Sequence, residues 1–205
     1  MTPISDQDRE RIAQAIAEAE KATSAEIVCV VMRSASDYWA APILWATIAA
    51  LIWPWPLISI TTLTAWTIYV TQLLLFVALA VGLSFPLHRR SSLTPSWIKR
   101  RRAHLSAREH FFAQGLHRTV NRSGVLIFVA LTERYAEIMA DDSVALKIGE
   151  TTWRPIADQL RDAIANDKAA DGLVAAIGRC GALLAEHAPP RENDRNELPD
   201  KVIVI

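Results

Sequence analysis

Residues 38–87 contain no charged side chain. A bilayer core of about 30 Å takes roughly 20 helical residues, so a run of this length is enough for two crossings. It divides at "WPWP", residues 53–56, because two prolines one residue apart remove backbone donors that a regular helix needs. The spans are expected over 38–58 and 66–87, joined through "SITTLTAW" at 59–66. Trp39, Trp53, Trp55 and Trp66 then fall near the span ends, where indole rings favour the headgroup zone. Size argues against a hairpin buried in a soluble core: the rest of the 205 residues is too short to wrap it.

The flanks orient the hairpin. Residues 88–110 hold seven Arg or Lys against one acid, Glu109, while the hairpin loop carries no charge. Positive flanks stay in the cytoplasm, and a two-span hairpin returns to the side it left. Both termini are therefore expected to be cytoplasmic, in a multi-pass membrane protein. Arg89, Arg90, Lys99, Arg100, Arg101 and Arg102 are the membrane-surface candidates, with the bilayer and its anionic headgroups as partner. No aromatic interleaving or helix-turn-helix pattern accompanies them, so no specific nucleic acid is expected. Formal charge over the whole chain is balanced and points to no partner.

Outside the hairpin the chain reads as one interrupted α/β domain. Ser5 with Asp8 three residues on is a capping-box start, and Ile12, Ile16 and Ala19 mark one face of the helix that follows. "AEIVCVVM" is a buried strand by pattern. After the basic segment, "RRAHLSAREHFFAQGLHRT" is expected to be a helix that packs through Leu105, Phe112 and Leu116. "NRSG" supplies a turn, "VLIFVAL" a second strand and "YAEIMAD" a third. Two helices close the pattern. One presents Trp153, Ile156, Leu160 and Ile164, with Pro155 in its first turn; the other presents Leu173, Ile177, Cys180 and Leu184. Strand–helix–strand order predicts a parallel crossover, and the short link at 132–134 an antiparallel hairpin. Cys29 and Cys180 sit in apolar contexts and read as small buried hydrophobes. The fold class is a small mixed-sheet α/β sandwich interrupted by a two-helix hairpin. Its parts are 1–37, the hairpin at 38–87, a basic juxtamembrane segment at 88–101, 102–188, and a polar linker with an apolar tail at 189–205. "KVIVI" at the end is expected to dock on the domain's own sheet as an edge strand.

The succession "TSAEIVCVVM", "NRSGVLIFVALTERYAEIMAD" and "KAADGLVAAIGRCGALL" resembles the TPM domain family, in its bacterial membrane-protein branch with a hairpin after the first strand. The "NELPDKVIV" tail resembles the ends of proteins in that branch. The resemblance implies an α/β sandwich with a shallow acid-lined groove. For some members it implies weak acid-phosphatase activity and calcium binding; for this branch it implies no established activity.

By that resemblance Glu26 matches the strand-one acid, and Glu133 the position where an acid precedes Arg, here Arg134. Asp141 and Asp142 end strand three, where carboxylates from neighbouring strands can converge on Ca2+ or another divalent cation. Glu26, Glu133, Asp141 and Asp142 are the metal candidates, with Glu137 a further acid nearby. The family's glycine-rich stretch after strand three is replaced by "DDSVALKIGE". The structural alternative is a Glu133–Arg134 turn ion pair with the aspartates capping the next segment. No phosphate-cradling loop, paired-aspartate motif or Cys–Arg phosphatase signature occurs, so no catalytic residue is assigned. His104, His110 and His117 lack acidic or Cys partners in sequence and read as a solvated stripe. The functional expectation is a membrane-anchored interaction or regulatory module with a protein partner or a cation. A weak metal-dependent acid phosphatase is the alternative.

Overall fold

The computed structural model describes residues 4–36, 38, 40–84, 94–119, 121–190 and 202–205. The chain forms two compact units: a sheet unit, Met1–Ala35 with Arg100–Ile205, and a hairpin unit, Ser36–Lys99. Arg89 and Arg90, and most of the expected polar linker, lie outside the described residues.

The sheet unit begins with α1, Asp6–Glu20, whose capping box is complete. Ser5 Oγ accepts from Asp8 N at 3.1 Å, and Ser5 N donates to Asp8 Oδ2 at 3.3 Å. Strand β1, Ile27–Met32, runs parallel to β2, Val125–Ala130, with Ile27 opposite Val125 and Met32 opposite Ala130. Strand β3, Tyr135–Ala140, returns antiparallel to β2, as its short link requires, with Arg134 in the left-handed region at φ 49°. A fourth strand, β4, Val202–Val204, lies parallel to the other edge of β1, giving the order β3-β2-β1-β4. The apolar tail thus docks on its own sheet.

Every residue of β2 is buried, because helices cover both faces and leave no side for polar alternation. On one face Ile27, Cys29, Val31, Val125, Ile127 and Val129 meet α1 and two later helices, α7, Glu150–Ala165, and α8, Ala169–His187. Ile12, Ile16, Ile164, Ile177 and Leu184 are essentially inaccessible there. Each contributes roughly 1.5–3 kcal/mol of burial. Gly181 permits the close approach of α8 to α1, since a Cβ at that position would stand 2.7 Å from Ala19 Cβ. Burial pushes the thiols of Cys29 and Cys180 up to about 12, so both are neutral apolar filler at physiological pH.

The opposite face is covered by α5, Ser96–Ala113, and here the expected packing is corrected. Ala103, Ser106, Ala107 and Phe111 are buried, while Leu105 and Phe112 are exposed by 47% and 53%. Small residues bring the helix backbone close to Val28, Val30, Leu126 and Phe128, which the larger Leu105 and Phe112 would hold away. Leu116 is buried as expected, but in a 3-10 turn, Leu116–Arg118, entered through left-handed Gly115. The histidines are no solvated stripe. His104 Nδ1 lies 2.9 Å from Glu137 Oε1, Tyr135 donates to Glu137 Oε2 at 2.8 Å, and His110 stacks on Phe128. Burial, reinforced by the Glu137 carboxylate, holds the Tyr135 phenol well above its ordinary range.

Two further expectations shift. Pro155 lies in the second turn of α7 rather than the first, because that helix already starts at Glu150. A short helix absent from the sequence reading, α6, Asp142–Ile148, precedes it.

In the hairpin unit, α2, Ala40–Ile52, is followed at once by α3, Pro54–Ile60, and then by α4, Ala65–Ser84. "WPWP" thus marks the break between α2 and α3, inside the expected 38–58, and the apolar helix runs on to Ile60. Pro54 and Pro56 sit in the first turn of α3, where no intrahelical N–H is required. Taken together, Ala40–Ile60 and Ala65–Ser84 are long and apolar enough to cross a membrane. Pro42, Ala46 and Ala50, one turn apart, are the buried positions of α2, which packs against α4. Small residues at that spacing let the two helices approach closely. Trp53 donates across the pair to Thr71 Oγ1 at 3.4 Å.

Deleting residues 202–205 removes the β4 ladder together with the bonds Ile205 N to Val31 O, 3.0 Å, and Arg33 N to Ile205 O, 2.9 Å. The purified protein should lose about 1–3 kcal/mol and melt at a lower temperature. An unchanged Tm would show that β4 adds nothing to the fold.

Candidate functional site

The ends of the sheet decide which acids can meet. Val125 N donates to Glu26 O at 2.7 Å, and Asp141 N to Gly124 O at 2.9 Å. Glu26, Gly124 and Asp141 therefore form one row across the starts of β1 and β2 and the end of β3. Glu133 lies in the β2–β3 turn, at the other end of six-residue strands, about 20 Å away. Both bonds it makes are structural: Glu133 Oε1 accepts from Ser34 Oγ and Ala35 N, each at 3.0 Å. It ties that turn to the end of β1, and the expected Glu133–Arg134 ion pair does not form.

At the row's end, Asp141 is 8% exposed and caps α6. Its Oδ1 accepts from Asp142 N at 2.8 Å, and its carbonyl accepts from Val144 N and Ala145 N. Oδ2 is buried without a hydrogen-bond partner. Asp142 points outward to Arg122 at 3.3 Å. Gly124 is obligatory in the row, since a Cβ there would stand 2.6 Å from Leu116 O.

Beside Asp141 opens a cleft of about 350 Å³ between α5, the 3-10 turn and the end of β3. Arg108, Phe112, His117, Arg122, Met139, Asp141 and Asp142 line it. His117 packs edge-on against Phe112, with ring centroids 5.2 Å apart. Its Nε2 accepts from Arg118 Nε at 3.3 Å, which leaves Nδ1 to carry the proton in the neutral ring. That Nδ1 is likewise buried without a partner. The cleft thus combines the His117 ring donor, two carboxylates of which Asp142 is paired with Arg122, two guanidinium groups and apolar surface. Another concavity, about 180 Å³, lies near Leu131; the α1 capping residue Asp8 and the Arg11–Asp171 ion pair line it.

Of the four acids named from the sequence, Glu26, Asp141 and Asp142 come to one end of the sheet and Glu133 to the other. Among the described residues no three His, Cys, Asp or Glu side chains converge to hold a metal ion. The divalent cation implied by resemblance is thus not met by a ready ligand set. Lys99, Arg100, Arg101 and Arg102 all lie on α5, and the three arginines are exposed. The sequence reading missed Arg108, His117 and Arg122 as cleft residues. The signals were an arginine inside the turn "NRSG" and a histidine just past a helix-ending glycine.

No protein-family model and no curated protein matches the chain. Among solved structures it is similar to the NMR structure of BA42 protein from the psychrophilic bacterium Bizionia argentinensis. The TM-score is 0.61 at 17% identity, covering 100% of this chain and 97% of BA42. At that identity the likeness shows the fold: α/β, with a four-stranded mixed sheet.

Because Asn caps helices about as well as Asp, Asp141→Ala should cost about 0.5–2 kcal/mol and Asp141→Asn far less. Thermal unfolding of both variants distinguishes them. Equal losses would mean that the buried charge, rather than the cap, holds this end of the sheet.

Proposed function

We propose that this chain is an integral protein of a bacterial inner membrane, held by its α2–α4 hairpin with both termini in the cytoplasm. Its sheet unit is a TPM-like interaction or regulatory module. The observation that carries the reading is the outward character of the hairpin. None of the most apolar part of α4 is buried, and Leu44, Leu51, Leu74, Val77 and Val81 stand exposed. In water such a surface is an association hazard, whereas in hydrocarbon it costs nothing. The basic flank after α4 supports the cytoplasmic orientation. The sequence resemblance in β1 and β2, carried on an α/β fold with a four-stranded mixed sheet, supports the TPM-like reading.

The cleft favours a protein segment as its ligand. A peptide offers N–H donors for Asp141 Oδ2 and carbonyl acceptors for His117 Nδ1 and the arginines. Hard cations take six to eight oxygens at short range, and Asp141 brings a single unpartnered one. Metal-assisted phosphate hydrolysis needs a water or nucleophile held in line with phosphorus by a complete ligand set.

Four measurements test these statements. The protein should stay with the membrane through an alkaline carbonate wash. A carboxyl-terminal fusion to a reporter enzyme active only in the periplasm should be silent; reporter activity would overturn the orientation. Calcium titration should give no saturable heat, and p-nitrophenyl phosphate no metal-dependent phosphate release. Saturable calcium heat and phosphate release, both lost in Asp141→Asn, would replace the interaction module with the phosphatase.

A further inference from the structure

The large apolar side chains exposed on the sheet unit are few: among its described residues they are Leu105, Phe112, Leu146, Val204 and Ile205. Leu105 and Phe112 share one face of α5, opposite the buried Ala103, Ser106, Ala107 and Phe111. Arg108 lies between them at helical spacing and Arg101 one turn before, so Arg101, Leu105, Arg108 and Phe112 form a continuous stripe. Both arginines are exposed, and neither makes an ion pair among the described residues. The packing of the fold does not explain this stripe. A helix that only had to cover the sheet would present polar residues outward.

We propose that this outer face of α5 seats on an anionic lipid surface, with Leu105 and Phe112 entering the headgroup–acyl boundary and Arg101 and Arg108 among lipid phosphates. Cationic residues interleaved with exposed apolar ones are the pattern that lies flat in a membrane interface. The stripe also follows in sequence, within a short connection, the helix read above as the second membrane span. Arg108 and Phe112 also line the cleft, so the same face forms part of its rim and the cleft takes its ligand at the lipid surface.

The proposal deepens the membrane reading and rests on it, and its test separates the two. The full chain carrying Leu105→Cys is labelled with bimane and placed in nanodiscs of phosphatidylcholine, with or without phosphatidylglycerol, doped with headgroup-nitroxide lipid. Cys29 and Cys180 are inaccessible and take no label in the folded protein. The Leu105→Cys label should lose fluorescence in discs containing phosphatidylglycerol, whereas a label at Leu146→Cys, on α6, should stay bright. Combined Arg101→Glu and Arg108→Glu should restore the signal. Phe112→Cys repeats the measurement should Leu105→Cys fail to fold. Equal brightness at the two sites in discs that retain the hairpin overturns the proposal and leaves the membrane reading standing. If the hairpin does not insert, that reading fails instead. The label is then followed on adding phosphatidylglycerol vesicles, where quenching upholds the face and its absence overturns it.

Discussion

The parallel ladder from Ile27 opposite Val125 to Met32 opposite Ala130 joins two stretches of chain that the whole hairpin unit separates. Both layers of the sheet unit are built on it: alternate residues of the two strands feed one core, and the residues between them feed the other. The insertion lengthens the connection roughly threefold, which adds about 1 kcal/mol of closure entropy. One buried isoleucine on β1 or β2 offsets that cost. Loop entropy is therefore no obstacle to placing a hairpin here, and the ladder is what makes the two halves a single unit.

The same ladder separates the acids. Parallel β1 and β2 bring Glu26 and Gly124 together, and antiparallel β3 delivers Asp141 to that end while leaving Glu133 in the turn at the other. Direction of travel, more than the number of carboxylates, determines which of them can share a ligand. What gathers beside Asp141 comes from three different elements: Arg108 from α5, His117 from the 3-10 turn and Arg122 from the turn before β2. No single segment carries a motif for it.

Periodicity and capping were readable wherever one residue type dominated the physics. Ile12 and Ile16, the all-apolar β2, and the stripes of α7 and α8 stood out because large aliphatic groups at regular spacing have few alternatives to burial. The face of α5 is not legible from side-chain size. There, close approach to the sheet selected Ala103 and Ala107 and left Leu105 and Phe112 outside. "WPWP" is legible as a break because proline cannot continue a helix interior; that proline also starts a helix equally well, as Pro54 does, is what sets the new helix going at once. The acids were visible as residue types, but their grouping was not. It depends on register and on side-chain bonds such as Ser34 and Ala35 to Glu133, which join positions far apart in sequence.

Strand β1 also has a history imposed by the direction of synthesis. Its six residues, "IVCVVM", are made well before β2, and at 5–20 residues per second the wait is roughly 5–20 s. Throughout that interval both edges of an almost wholly apolar strand lack the ladders they have in the finished fold, and of the helices that cover the sheet only α1 and, near the end of the wait, α5 are made before β2. A segment of this composition held open so long is a template for pairing with other nascent chains. For this fold, the order of arrival at the ribosome exit makes the protection of β1 a problem of timing as well as of packing.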